Sequence, residues 1–289
     1  MRAPLDLSAR LARLLARMQA GEDSVRRELL GEVDCPDSLA RREVTVYLPA
    51  GYRRGDDVPL LLALDGQNMP RWRLPEAMTQ LAALPGAPVP LVVAVPASAA
   101  RREEYGVAGV PDYAGRGRLA GVFQEYLTRS VLPAVRSRYG AGLSPERTGI
   151  FGASLGGLCA FDTAWRHPWH FGLAGVFSGS FWWRTDDSSP AAQQASRIAH
   201  RCVRDTATKP PLRFWLQAGT EDETADRDSN GVIDTIQDTT ELVDELTARG
   251  YERGREVFYR ETAGGRHDEA TWADEVPGFL RWAWPGAGK

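Results

Sequence analysis

Cysteine is scarce in this chain. Three thiols in 289 residues, Cys35, Cys159 and Cys202, are few and odd in number. They exclude a disulfide framework and suggest a reducing compartment. Long apolar runs are also missing, so no transmembrane span is expected. Arg10, Arg13 and Arg17 interrupt the apolar positions of the N-terminus, which a signal peptide would need unbroken. The expectation is a cytoplasmic protein with no membrane partner. There is no excess of charge of one sign either. A formal net charge of −3 leaves no nucleic-acid footprint, and a hydrophobic fraction of 43% excludes disorder. There is no internal repeat. Proline-rich Leu84–Pro90 and Thr206–Pro211 are connections. Nothing in the composition fixes an oligomeric state.

What the chain does have is alternation. Short apolar strands fall at Glu43–Leu48, Pro59–Leu64, Leu91–Val95, Thr148–Phe151, Leu173–Phe177, Arg213–Gln217 and Glu256–Tyr259. Helical segments fall near Pro75–Leu84, Gly117–Tyr139, Leu155–Trp165, Ala191–Val203, Asp238–Arg249 and Asp268–Trp284. This alternation predicts an α/β fold, a mostly parallel central sheet with helices on both faces. Ahead of it, Leu7, Leu11, Leu14, Leu15 and Met18 mark an amphipathic helix, and Val25–Leu30 reads as a second short helical segment. The expected division is a helical extension over 1–41 and an α/β domain over 42–289.

The most informative stretch is Gly152-Ala153-Ser154-Leu155-Gly156-Gly157. It follows the strand Thr148–Phe151 and opens an apolar helix. Strand, G-x-S-x-G, helix is the context of a nucleophile elbow, in which crossing backbones leave no room for side chains at the flanking glycines. The elbow lifts a serine hydroxyl above the sheet, where helix N-terminal amides face the charge that develops in acyl transfer.

A serine hydroxyl needs a base. Of four histidines, His167 and His170 flank Pro168 at the end of the elbow helix, and His200 lies on a polar helix with Arg197, Arg201 and Arg204. His267 sits in Gly264-Gly265-Arg266-His267-Asp268, a glycine-flanked loop after the last strand, where an α/β-hydrolase carries its histidine. The acid is expected from Glu221-Asp222-Glu223, at the end of the strand Arg213–Gln217. Asp222 is the first choice, with Glu223 and then Glu221 behind it. Two backbone donors must hold the oxyanion. Leu155 supplies one. Gln67, in the loop Asp65-Gly66-Gln67-Asn68-Met69, supplies the other, with Gly66 allowing an unusual backbone angle.

These blocks carry a family resemblance. Val44–Pro49 leading to Gly51-Tyr52, Leu64–Gln67, Arg101–Tyr105, Gly152–Gly157, Ser178–Trp183 and the His267 loop with Trp272 resemble the esterase branch of the α/β-hydrolase superfamily, over about residues 42 to 285. That branch includes enterochelin esterases and, more distantly, feruloyl esterases and mycolyltransferases. The resemblance implies an α/β-hydrolase fold and hydrolysis of a small-molecule ester by Ser154 and His267. It also implies an arginine of the Arg101–Tyr105 block and Trp182 or Trp183 near the substrate. Enterochelin esterases usually carry a β-sandwich domain ahead of the hydrolase domain, and about forty residues stand there in this chain. The aromatic faces would suit catechol, feruloyl or other aryl groups. Arg101 or Arg102 could pair with an anionic substrate group or with Glu103 or Glu104.

One motif falls outside this scheme. Asp226-Arg227-Asp228-Ser229-Asn230-Gly231-Val232-Ile233-Asp234 matches the first nine positions of a calcium loop. Asp226, Asp228, Asn230, the Val232 carbonyl and Asp234 would be the ligands, with Gln237 where the bidentate glutamate belongs. Seven acidic residues and one basic residue lie between Glu221 and Asp238. A structural Ca²⁺ would relieve their repulsion, and a solvated acidic loop capping the next helix is the alternative. No cofactor is expected for catalysis. Two other functions remain open: an acyltransferase using the same residues with an alcohol acceptor, and a catalytically silent calcium-dependent binding protein, which would need only the Asp226 loop and the aromatic surface.

Overall fold

The computed structural model describes residues 24–31 and 33–285. An eight-stranded sheet forms its centre, in the order β1-β2-β4-β3-β5-β6-β7-β8. The strands are β1 (Arg26–Leu29), β2 (Thr45–Leu48), β3 (Leu60–Leu64), β4 (Leu91–Val95), β5 (Thr148–Ala153), β6 (Leu173–Phe177), β7 (Arg213–Glu221) and β8 (Val257–Arg266). β1 pairs with β2 and β2 with β4 antiparallel, and every other pair is parallel. Each parallel strand must therefore be reached by a crossover, and the helices fill those crossovers on both faces.

The helices are α1 (Leu74–Ala82), α2 (Arg101–Glu104), α3 (Ala120–Tyr126), α4 (Leu132–Tyr139), α5 (Leu155–Arg166), α6 (Pro190–Ala195), α7 (Ile198–Asp205), α8 (Asp234–Ala248) and α9 (Glu269–Ala283). A π-helical turn, Leu127–Val131, joins α3 to α4. Successive strand residues point to opposite faces, so β3 divides its side chains between two cores. Leu60, Leu62 and Leu64 meet Phe123, Leu158 and Phe161 on one side. Leu61 and Ala63 meet Trp72, Met78, Trp272 and Phe279 on the other. Strands β3 and β4 are wholly buried, which is why they read as continuous apolar runs.

Two expectations are corrected at the N-terminal end. Residues 26–29 form an edge strand rather than a helix. Its neighbour β2 supplies a ladder that helical periodicity cannot anticipate, and Leu30 N–H continues the pairing to Val44 O (2.9 Å). The boundary after residue 41 is likewise not a structural one: Leu30 and Leu39 are buried in the main core. A bidentate pair between Arg42 and Glu104 (2.7 and 3.0 Å) fastens this arm to α2. The amphipathic segment Leu7–Met18 lies outside the described residues. Segment 191–203 is two helices, α6 and α7. Among the described residues, no helix is long and apolar enough to cross a membrane.

Candidate active site

The predicted reactive residues converge at the carboxyl ends of β3, β5, β6, β7 and β8, where parallel sheets present ligand sites. Ser154 stands between β5 and α5 with φ 56° and ψ −127°, a backbone that a non-glycine residue rarely accepts. The strain is held from both sides. Ser154 N–H donates to Phe177 O (2.9 Å), and Ser154 O accepts from Ser180 N–H and Leu158 N–H (both 3.1 Å). A Cβ at Gly152 would lie 2.6 Å from the Gly156 carbonyl carbon, so the crossing of strand and helix excludes any side chain there.

Three adjacent carboxylates leave β7, and the structure sends them to different places. Glu221 pairs with Arg266 on the surface (3.1 Å). Glu223 accepts the Thr235 N–H in the first turn of α8 (2.7 Å). Asp222 alone turns inward. Its Oδ1 accepts from Ser178 Oγ (3.0 Å) and its Oδ2 from Gly219 N–H (3.1 Å). Oδ1 also lies 3.9 Å from His267 Nδ1. Burial pushes the Asp222 carboxyl up, and the two hydrogen bonds oppose that shift.

His267 directly follows β8. The glycines Gly264 and Gly265, expected in a loop, are part of the strand, which pairs irregularly with β7 at Gly219 and Glu221. Asp268 then caps α9 by accepting Thr271 N–H (2.9 Å). Strand end and helix start therefore fix the histidine between them. Trp272 flanks the imidazole edge-on (5.3 Å between ring centres). Its indole N–H donates to Ser178 Oγ (2.9 Å), which itself donates to Asp222. Ser178 and Trp272 thus hold the Asp222 carboxylate and the His267 ring together, and only the final fold reveals it. The Ser154 hydroxyl makes its contact with Ser180 Oγ (3.4 Å), and no hydrogen bond links it to His267.

The donor loop follows β3. Asp65 takes the left-handed conformation (φ 53°, ψ 44°), and Gly66–Asn68 form a single 3₁₀ turn. The positive angle belongs to Asp65 rather than to Gly66. Gly66 is needed for another reason: a Cβ there would lie 2.4 Å from the Ala94 carbonyl carbon of β4. Gln67 anchors the turn through its side-chain oxygen, which accepts Ala97 N–H (2.9 Å). Leu155 is the first residue of α5, so its amide has no partner within the helix.

One expected substrate residue is corrected. Trp183 is fully buried, donates to Val110 O (3.1 Å) and packs where a Cβ on Gly106 or Gly117 would stand, so it is scaffold. Arg101, expected near the substrate, pairs with Asp65 (2.7 and 2.8 Å) and keeps about a third of its side chain exposed. Trp182 stays half-buried, with the Arg116 and Arg184 guanidinium groups 5.1 and 5.9 Å from its ring centre. Both cations also lie over exposed Tyr113.

The Asp226 loop uses its oxygens internally. Asp226 accepts Asn230 N–H (3.1 Å) and Gly231 N–H (2.9 Å), Asn230 Oδ1 accepts Val232 N–H (2.7 Å), and Asp228 accepts Gln237 Nε2 (2.9 Å). Asp234 accepts Arg227 N–H and also faces its guanidinium, and Asp238 is bridged by Arg227 and Arg197. Among the described residues, no group of three or more His, Cys, Asp or Glu side chains is arranged to hold a metal ion.

Comparison with known proteins decides the family. The model of the family described as "Putative esterase" matches residues 39–283. The chain belongs to that family. Iron(III) enterobactin esterase of Escherichia coli (strain K12) is 24% identical over 235 residues, covering 80% of this chain and 50% of that protein. The chain therefore spans about half the length of that relative. Among solved structures, enterobactin esterase from Shigella flexneri in the presence of enterobactin superposes with a TM-score of 0.66 at 22% identity. The match covers 90% of this chain and 58% of the other. A ferulic acid esterase gives 0.66 at 15% identity, covering 90% and 98%. Siderophore hydrolase EstB from Aspergillus nidulans gives 0.64 at 20%, covering 90% and 96%. These esterase-family likenesses establish the α/β-hydrolase architecture of the sheet and its helices.

Proposed function

We propose that this esterase-family chain is a carboxylic ester hydrolase acting through Ser154, His267 and Asp222. The carrying observation is that a strained elbow serine, a strand-end histidine and one inward-turned carboxylate all stand at the carboxyl end of the sheet, with the carboxylate 3.9 Å from the imidazole. The Ser154 hydroxyl attacks the ester carbonyl while His267 takes its proton. The negative charge on the carbonyl oxygen is met by the N–H groups of Leu155 and Gln67. The alcohol leaves with the proton returned by His267, and an acyl group remains on Ser154. Water, deprotonated by His267, releases the carboxylic acid and restores the serine. Asp222 orients the imidazole and stabilises its cation without taking the proton.

The substrate proposed is a small ester with an aromatic portion. Half-buried Trp182, two residues beyond the serine that contacts Ser154, supplies the flat face. The relatives' names supply siderophore and feruloyl esters as the first panel to assay. Ser154→Ala and His267→Ala should each remove turnover of an aryl ester, by about 10⁶-fold if the two act as a unit. Ester hydrolysis surviving in either folded variant would exclude this mechanism. An acyltransferase would reveal itself by transfer to an added alcohol at the expense of hydrolysis.

Calcium at Asp226, Asp228, Asn230, Val232 and Asp234 is a separate proposal, supported by the sequence spacing alone. Each carboxylate keeps lone pairs beyond its present hydrogen bonds, so a cation could share these oxygens with their donors. A chelator should then lower the melting temperature and calcium restore it, with no such response in Asp226→Ala/Asp228→Ala. A melting temperature indifferent to calcium and chelator leaves the loop as a protein-neutralised cap.

A further inference from the structure

A carboxylate stands where the reaction would least tolerate one. Asp65 is buried at the end of β3, and a Cβ placed on Gly156 would lie 2.8 Å from its Oδ2. Gly156 is the second residue of α5, next to the Leu155 amide. The amino end of this helix is the positive pole that the hydrolytic mechanism uses for the oxyanion. A fixed negative charge beside it would take up that field and repel the oxyanion.

Arg101 closes this gap. Its Nε donates to Asp65 Oδ1 (2.7 Å) and its Nη2 to Oδ2 (2.8 Å), a flat two-point fork. The guanidinium also lies 5.0 Å from the ring centre of Tyr105. The Tyr105 hydroxyl accepts the Asp65 N–H (3.0 Å), which steadies the left-handed residue just before the Gln67 turn. The short helix carrying Arg101 is itself tied down, because neighbouring Glu104 is held by Arg42 and by Ser98 Oγ (2.8 Å).

We infer that Arg101 is a positioning residue of the oxyanion site: it cancels the Asp65 charge beside the elbow helix, and it is not a receptor for an anionic substrate. This rests on the serine-esterase reading above. The two roles differ in what they do to a substrate's own charge. A receptor raises KM for anionic esters alone. A charge-cancelling residue lowers kcat for neutral and anionic esters by the same factor.

The test compares Arg101→Met with Arg101→Met/Asp65→Asn on p-nitrophenyl acetate and p-nitrophenyl hemisuccinate. Arg101→Met should lose about 100-fold in kcat on both esters with KM changed less than about twofold, an effect of the size of a lost oxyanion donor. Removing the carboxylate as well should recover kcat to within about fivefold of the wild type, since the charge to be cancelled is gone. Should Arg101→Met fail to fold, Arg101→Gln replaces it in the same comparison, with the same expected and overturning results. The proposal is overturned if Arg101→Met raises KM for the hemisuccinate only. It is equally overturned if a folded double variant is as slow as an oxyanion-donor deletion. A wild-type chain that neither hydrolyses the acetate nor is labelled at Ser154 by a phosphonate defeats the esterase reading itself, and the proposal with it. An active wild type beside an equally active Arg101→Met defeats only the proposal.

Discussion

Asp222 and the stretch from Asp226 to Asp238 leave β7 one after the other, and they bury negative charge in opposite ways. Asp222 is held by neutral donors, the Ser178 hydroxyl and the Gly219 N–H, and faces a titratable imidazole. Asp234 and Asp238 are met by permanent cations, Arg227 and Arg197. A carboxylate held by neutral groups keeps its field for a charge that arises during reaction. One already paired with arginine has spent it. The first arrangement suits catalysis, and the second anchors the helix that follows.

Substitutions on each side should separate the two. Asp222→Asn should cost about 10⁴-fold in kcat, because the imidazole loses its orientation and the stabilisation of its cation. Glu223→Gln should not reproduce this loss, and an equal loss would move the acid to the neighbouring carboxylate. Arg227→Met should do the reverse. It leaves Asp234 and part of the Asp238 charge unmatched, with both Arg227 and Asp238 side chains almost wholly buried. A destabilisation of about 3 kcal/mol in urea titration is expected, with kcat of the folded fraction unchanged. If activity falls in parallel with Asp222→Asn, the two segments are not the separate devices described.

A smaller effect concerns His200, packed against the same anchor. Its Nε2 meets Asp238 O (2.8 Å), and burial, aided by Arg197, pushes its pKa down to about 3. The unfolded imidazole binds a proton below about pH 6.5, while the folded one does not until far lower. Stability from this group is therefore complete above about pH 6.5 and drains away as pH falls toward 3. His200→Gln should flatten the fall of melting temperature between about pH 6.5 and 4.5. An unchanged slope would place the acid sensitivity elsewhere. Least of all, Trp182→Ala should weaken aryl esters over acetyl esters by about tenfold in kcat/KM, the worth of one aromatic contact. Equal losses on both would make Trp182 structural.

Much of this was legible before any coordinates. The strands β3, β4 and β6 show as apolar runs because both their faces are covered, and the elbow shows because crossing backbones demand glycine at fixed positions. Other features depend on partners distant in sequence. β1 is a strand only because β2 lies beside it. Trp182 and Trp183 are indistinguishable as letters, yet Gly106 and Gly117 make room for one of them inside. The pairing of Arg101 with Asp65 exists only because β3 and the helix that follows β4 are brought side by side. The roles of Ser178 and Trp272 depend on a hydrogen-bond chain joining β6, β7 and α9. The acidic loop gave a calcium spacing, but spacing does not reveal whether a metal or an arginine supplies the positive charge.

Capture of the covalent intermediate tests the central claim most directly. An aryl ester reacted with the wild-type chain and quenched in acid should leave one acyl group, mapped by peptide mass to Ser154. Ser154→Ala should carry none, and Asp222→Asn should acylate at the same residue but slowly. Acyl transfer to a different residue, or undiminished turnover by Ser154→Ala, would contradict the account.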